Sequence, residues 1–302
     1  MTRPSIHASL RLGALLGTLH GALLGGLGCA ETGQDHVALP LYVAGEDVSA
    51  GLMTSDAIPV TLDRAELAFG PLTICAGEQA GDLCETARLE WLGSVVVDAL
   101  DPEPALAGEL AGITGPVRSW MYDLGLSSLL TQEAPLALDA ALELGGVSLI
   151  LEGSAELPSG TLPFSAAIAI QQEEATELGV PVVRKSASDV FEHEVREDEP
   201  GLLIRFDPSV WMRGVDFRGA LEDRPCLPEG PPIVCAGSLE QRCAPDGSVQ
   251  SATECASAGQ HCLAGIGCAD ALQIEPNTQA YRSLRNALVS GERPRFEWGF
   301  RP

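Results

Sequence analysis

The sequence predicts an all-β protein: an antiparallel β-sandwich with one C-terminal helix and a disulfide-rich insertion. Three observations carry this expectation. Short apolar segments with a two-residue period recur between clusters of Gly, Pro, Asp and Ser. A single stretch, 277–291, combines helical spacing with signals for both ends. Six of the nine cysteines crowd into residues 226–268. With 302 residues, 45% of them hydrophobic and only 20% charged, the chain can bury a substantial core and is not a disordered polymer.

Taken in order, the first strand signal begins at Val37. Val60 to Asp63 alternates, and Ala65 to Phe69 alternates in the opposite register, which requires a bulge near Asp63 and Arg64. Residues 88–92 run on into Val95, Val96 and Val97. The clearest pair is 148–157 and 162–171, joined through Pro158, with Leu162, Phe164, Ala166, Ile168 and Ile170 on one face. Residues 201–207 give a further strand, and Trp211 to Phe217 a short segment beyond it. Stretches 106–113 and 135–144 are ambiguous, because their Ala and Leu favour helix while neighbouring glycines do not. In the predicted helix Asn277 is the cap, Ala280, Tyr281, Leu284, Ala287 and Leu288 form the stripe, and Gly291 ends it. Residues 293–301 then alternate, with Pro294, Phe296, Trp298 and Phe300 on one side, as in a core strand with a buried aromatic face.

Eight cysteines follow Cys29, an even number that suits an oxidising compartment. Cys75 and Cys84 flank a glycine-containing loop and most simply close one hairpin. Cys226, Cys235, Cys243, Cys255, Cys262 and Cys268 are separated by 9, 8, 12, 7 and 6 residues. No close ligand pair of the zinc type occurs, so three disulfides are expected, with all fifteen pairings open. Because an aromatic strand returns after this segment, residues 219–271 read as a Cys-rich module inserted in one sandwich domain, 37–218 and 272–302. A module held by its own crosslinks should be dispensable for the core.

Arg3, His7 and Arg11 precede an apolar run from Leu12 to Leu27 that ends in Gly28, Cys29 and Ala30. This is the layout of a removable secretory signal, too short for a membrane span. Residues 24–29, Leu-Gly-Gly-Leu-Gly-Cys, resemble the lipobox of bacterial secreted lipoproteins, with Gly26 and Leu27 standing where that family places leucine and a small residue. The resemblance implies cleavage after residue 28, lipid on Cys29, and a tether over 29–36. By analogy with lipoprotein sorting, Ala30 rather than Asp after the cysteine implies the outer membrane. Cleavage after Ala30 is the alternative, and it would discard Cys29. Residues 243–268 are also similar to short Cys-rich repeats of secreted bacterial surface proteins, a resemblance that carries no chemistry.

The 18 basic residues against 42 acidic ones give a net charge of −24, and loss of Arg3 and Arg11 with the signal leaves 16 against 42, or −26. Nucleic acid is thereby excluded as a partner, since phosphate recognition needs clustered Lys and Arg. Any membrane association must come from the lipid and not from charge. An outer-membrane barrel fits poorly with 5% aromatic residues and no girdles.

No nucleophile elbow, zinc-protease or P-loop motif occurs in the mature chain. His193 is the only histidine in the main β region and reads as a surface residue between two glutamates. Glu192, Glu194, Glu197, Asp198 and Glu199 form a compact acidic run, a weak calcium candidate without the loop pattern of a dedicated site. Trp120 and Trp211 are the candidate exposed ligand contacts. The resulting expectation is a non-catalytic, lipid-anchored envelope protein that binds an envelope protein or glycan. The rival is a secreted β-sandwich hydrolase acting on carbohydrate, which would need paired carboxylates.

Overall fold

Strands account for 49% and helices for 12% of the computed structural model, the all-β class that the two-residue periods predict. It describes residues 34–77, 84, 86–127, 136–158, 160–170, 185–187, 192–290 and 293–302. Asp35–Pro302 forms one compact unit. No helix among the described residues is long and apolar enough to cross a membrane. The signal, Cys29 and Gly291 lie outside the described residues.

Two large sheets face one another. The eight-stranded sheet runs, edge to edge, Lys185–Ala187, Ser119–Tyr122, Leu72–Cys75, Ala87–Trp91, Ala105–Ile113, His36–Gly45, Leu202–Phe206 and Arg295–Trp298. The smaller sheet runs Leu52–Met53, Pro59–Phe69, Leu149–Leu157, Gly160–Ile168 and Leu272–Ile274, with Val95–Asp98 also on the Pro59–Phe69 strand. Alternation decides which side chains turn inward: Val37, Leu39, Leu41 and Val43 are buried while His36 and Ala38 are exposed. The inward residues of both sheets belong to a single hydrophobic cluster, which is the sandwich core. Phe69 sits at its centre, with its ring 5.1 Å from Phe206, 5.6 Å from Tyr122 and 6.1 Å from Trp91, all on the opposite sheet.

The chain changes sheets between Phe69 and Leu72. Gly70 has φ +110°, and a Cβ there would overlap the Gly93 carbonyl oxygen, so only glycine can make this corner. The expected bulge is present: Glu152 pairs with Arg64 and Gly153 with Leu62, which leaves Asp63 unpaired. The ambiguous stretch 106–113 is the strand Ala105–Ile113, and 135–144 divides into the strand Leu136–Ala137 and the helix Asp139–Glu143.

Three details depart from expectation. Trp211 to Phe217 is no strand, because the Asp207 carboxylate accepts from the Ser209 N–H and Pro208 opens a helix, Pro208–Met212. Thr278, not Asn277, caps the helix Gln279–Ser290, its hydroxyl oxygen accepting from the Tyr281 N–H at 3.1 Å. Arg295–Trp298 is an edge strand with a half-buried aromatic face, not a core strand, since among the described residues it pairs with Leu202–Phe206 alone.

That edge strand nonetheless makes a long-range contact. Phe296 lies in the eighth strand of the large sheet and Trp120 in the second, yet their ring centroids are 4.7 Å apart. Six strand spacings of about 4.8 Å would separate them by roughly 29 Å in a flat sheet. The sheet therefore curls back, and an aromatic contact between Trp120 and Phe296 spans its two sides. His193 stacks on Trp298 at 4.4 Å.

The Cys-rich segment carries a three-stranded sheet, Ile233–Ala236, Leu239–Cys243 and Val249–Glu254, and a hairpin, His261–Leu263 with Gly267–Ala269. Its disulfides are Cys226–Cys243, Cys235–Cys262 and Cys255–Cys268, and Cys75–Cys84 closes the hairpin expected for it. The buried Glu240 carboxylate accepts from the Cys268 N–H at 3.0 Å and from Arg242 at 3.1 Å, tying sheet to hairpin. Cys235, Cys255 and Cys262 form their own small core. Leu263, one residue on, is 1% exposed and belongs to the main core instead.

Candidate functional site

Where the Cys-rich segment meets the sandwich lies a groove of about 380 Å³. Three pieces of chain build it. The first is 216–224, anchored because Phe217 packs on Phe164 of the smaller sheet at 4.9 Å and Arg218 donates to the Asp56 carbonyl at 3.0 Å. The second is the 263–266 turn, held by Ala264 N–H to Ala220 O at 2.8 Å and Ile266 N–H to Leu263 O at 2.9 Å. Gly265, with φ +78°, permits that turn and leaves Ile266 half-exposed at the rim. The third is the edge strand Leu272–Ile274 with the start of the last helix.

The floor is aliphatic: Leu263, Leu272, Ile274, Ala220 and Ala280. Asp216, Glu222, Arg224, Thr278 and Gln279 make the polar rim. Size and lining fall in the range of small-ligand clefts, a few hundred Å³ with mostly apolar walls and a few polar groups. The rim is fixed in place. The Asp216 carboxylate accepts from the backbone N–H groups of Arg218 at 2.9 Å and Gly219 at 3.3 Å. Glu222 is paired with Arg224, whose own N–H donates to the Cys235 carbonyl. Gln279 accepts from the Asp216 N–H and donates to the Gly214 carbonyl, each at 3.3 Å. Among the described residues no histidine lines the groove.

The residues singled out in the sequence lie elsewhere. Trp120 and Trp211, expected as exposed contacts, are 4% and 5% exposed and belong to the main core, so neither offers a ring face to a ligand. Trp120 is taken up by the contact with Phe296, and Trp211 by the helix that Pro208 opens. The acidic run does not converge. Glu192 faces Arg118 at 3.4 Å, the largely buried Glu199 lies 2.9 Å from His193 Nε2, and Glu194, Glu197 and Asp198 are exposed. Among the described residues no three His, Cys, Asp or Glu side chains form a group able to hold a metal ion.

Two exposed turns hold their carboxylates below the usual range: Asp47 through the hydroxyl and N–H of Ser49, and Asp246 through those of Ser248. Both are turn locks, and neither belongs to the groove lining. Sequence reasoning missed the groove because its floor comes from residues that read locally as loop, edge strand and helix start. The cysteines on either side of Leu263 were the one available hint that this turn is pinned. No protein family, curated protein or solved structure matches the chain.

Proposed function

We propose that this is an exported, lipid-anchored cell-envelope protein that binds a partner through the groove and performs no chemistry of its own. The groove carries this reading. It is concave, apolar-floored and pre-formed, and its two carboxylates are engaged by backbone donors and by Arg224. A glycosidase needs two carboxyl groups flanking a bond, one of them able to give up a proton. Four disulfides suit an oxidising, exported setting, and the 24–29 resemblance supplies the anchor.

Two measurements test it. Intact mass of the mature protein should show acyl chains on Cys29, lost in Cys29→Ser; a mature N-terminus at Glu31 would remove the anchor. A photoreactive amino acid placed at Ile266 in the full chain, in intact cells, should give an envelope adduct of defined mass that the same group at exposed Leu106 does not. Equal or absent labelling at the two positions would refute the groove as the binding element.

A further inference from the structure

We infer that the groove takes an extended peptide segment of another protein, added as a further strand beside Leu272–Ile274, with apolar residues at alternate positions and a lysine or arginine among the rest. This rests on the reading of the groove as a binding site. Among the described residues, Leu272–Ile274 is the outermost strand of the smaller sheet and pairs in parallel with Gly160–Ile168 only.

Backbone parity shows which of its groups are spare. Leu157 and Gly160 close the antiparallel hairpin across two residues, so they hydrogen-bond to each other. Every second residue from Gly160 then turns its backbone toward Leu149–Leu157, and Pro163, Ser165 and Ala167 turn theirs the other way, toward Leu272–Ile274. Pro163, with no N–H to give, fits that outward position. In the register Phe164↔Leu272 and Ala166↔Ile274, the backbone groups of Leu272 and Ile274 are thereby used, and the N–H and C=O of Gln273 point to the open edge. Among the described residues no backbone hydrogen bond reaches them.

An added strand about 4.8 Å outward would set its inward side chains beside Leu272 and Ile274, which both line the groove. Main-chain bonds to Gln273 would supply part of the affinity and the apolar floor the selectivity for alternate side chains, the division of labour in strand addition. Charge decides the remaining positions. Arg224 is taken by Glu222, and among the described residues no cation pairs with Asp216, so the rim carries one uncompensated negative charge within a chain of −24. A lysine or arginine complements that rim, whereas a glutamate does not.

The test uses a random heptapeptide library displayed on phage, selected on the full mature chain. Enriched peptides should alternate apolar residues and carry a basic one. As synthetic peptides they should bind at least tenfold more weakly to Gln273→Pro, which removes the outward N–H together with the side-chain oxygen that accepts from the Ser165 hydroxyl at 2.6 Å, and to Ile266→Asp at the rim. Hydrogen exchange at the Gln273 amide should slow when they are added. No enrichment, undiminished binding to both variants, or unchanged exchange at Gln273 would overturn the inference. If Gln273→Pro does not fold, Ile266→Asp and the exchange measurement decide. Peptide failure together with selective photolabelling at Ile266 would sink strand addition and leave the binding site standing; failure of both would remove the site itself.

Discussion

Leu263→Ala separates two arrangements of this chain: a Cys-rich segment that hangs on the sandwich, and one that helps to build it. Leu263 is 1% exposed and packs within the main core, while its neighbour Cys262 packs among cystines. Truncating a fully buried leucine costs about 2–5 kcal/mol, the lost transfer energy plus the cavity left behind. A rigid site gives the upper part of that range, and the flanking disulfide Cys235–Cys262 restricts collapse around position 263. At a urea dependence of about 3 kcal/mol per M, a loss of about 4 kcal/mol moves the midpoint down by about 1.3 M. The reporter selects the right event, because all four tryptophans, Trp91, Trp120, Trp211 and Trp298, lie outside residues 219–271. Equilibrium urea unfolding followed by tryptophan fluorescence therefore reads the sandwich alone. Leu227→Ala, 56% exposed in the same segment, is the control and should stay within about 0.5 kcal/mol. An unchanged tryptophan midpoint for Leu263→Ala would refute a shared core and support a module that folds on its own crosslinks.

Two further outcomes follow from the geometry. Phe296→Ala should open the contact with Trp120 at a cost of about 2 kcal/mol, below the 3–5 kcal/mol of a fully buried phenylalanine because this side chain is only partly buried; tryptophan emission should shift to the red, and an unaltered spectrum and melt would show that the curled sheet holds without it. The Asp246 carboxyl, held low by the Ser248 hydroxyl and N–H, should titrate below an ordinary aspartate in carbon-detected NMR and return toward it in Ser248→Ala. Because the folded value is the lower one, this turn is favoured above the unfolded aspartate range and loosens as pH falls through the folded value; titration at the ordinary position would contradict the lock.

Much of the secondary structure was legible in the residues themselves. The opposite registers of 60–63 and 65–69 announced a bulge, and Asp63 is the unpaired residue. The hairpin 149–168, the strand 202–206 and the last helix were equally plain, since the period of an amphipathic segment is fixed by local backbone geometry. The helix at Pro208–Met212 was also readable, in retrospect, from Asp207 followed by Pro208, a cap and a first-turn proline.

The sequence by itself determined the class of the fold, the period of its strands, the acidity of the molecule and the presence of an even set of cysteines. Tertiary structure alone decided which one of the fifteen pairings joined the late cysteines, that Trp120 and Trp211 are covered, and that the large sheet curls until Phe296 packs on Trp120. The physical reason is common to all three. Periodicity says that one face of an element is apolar, but what covers that face depends on sheet twist and on chain returning from far along the sequence, as Phe296 returns to Trp120 across 176 positions. The groove belongs to the same class: Leu263, Ile274 and Ala220 are each unremarkable locally, and only their convergence makes a floor.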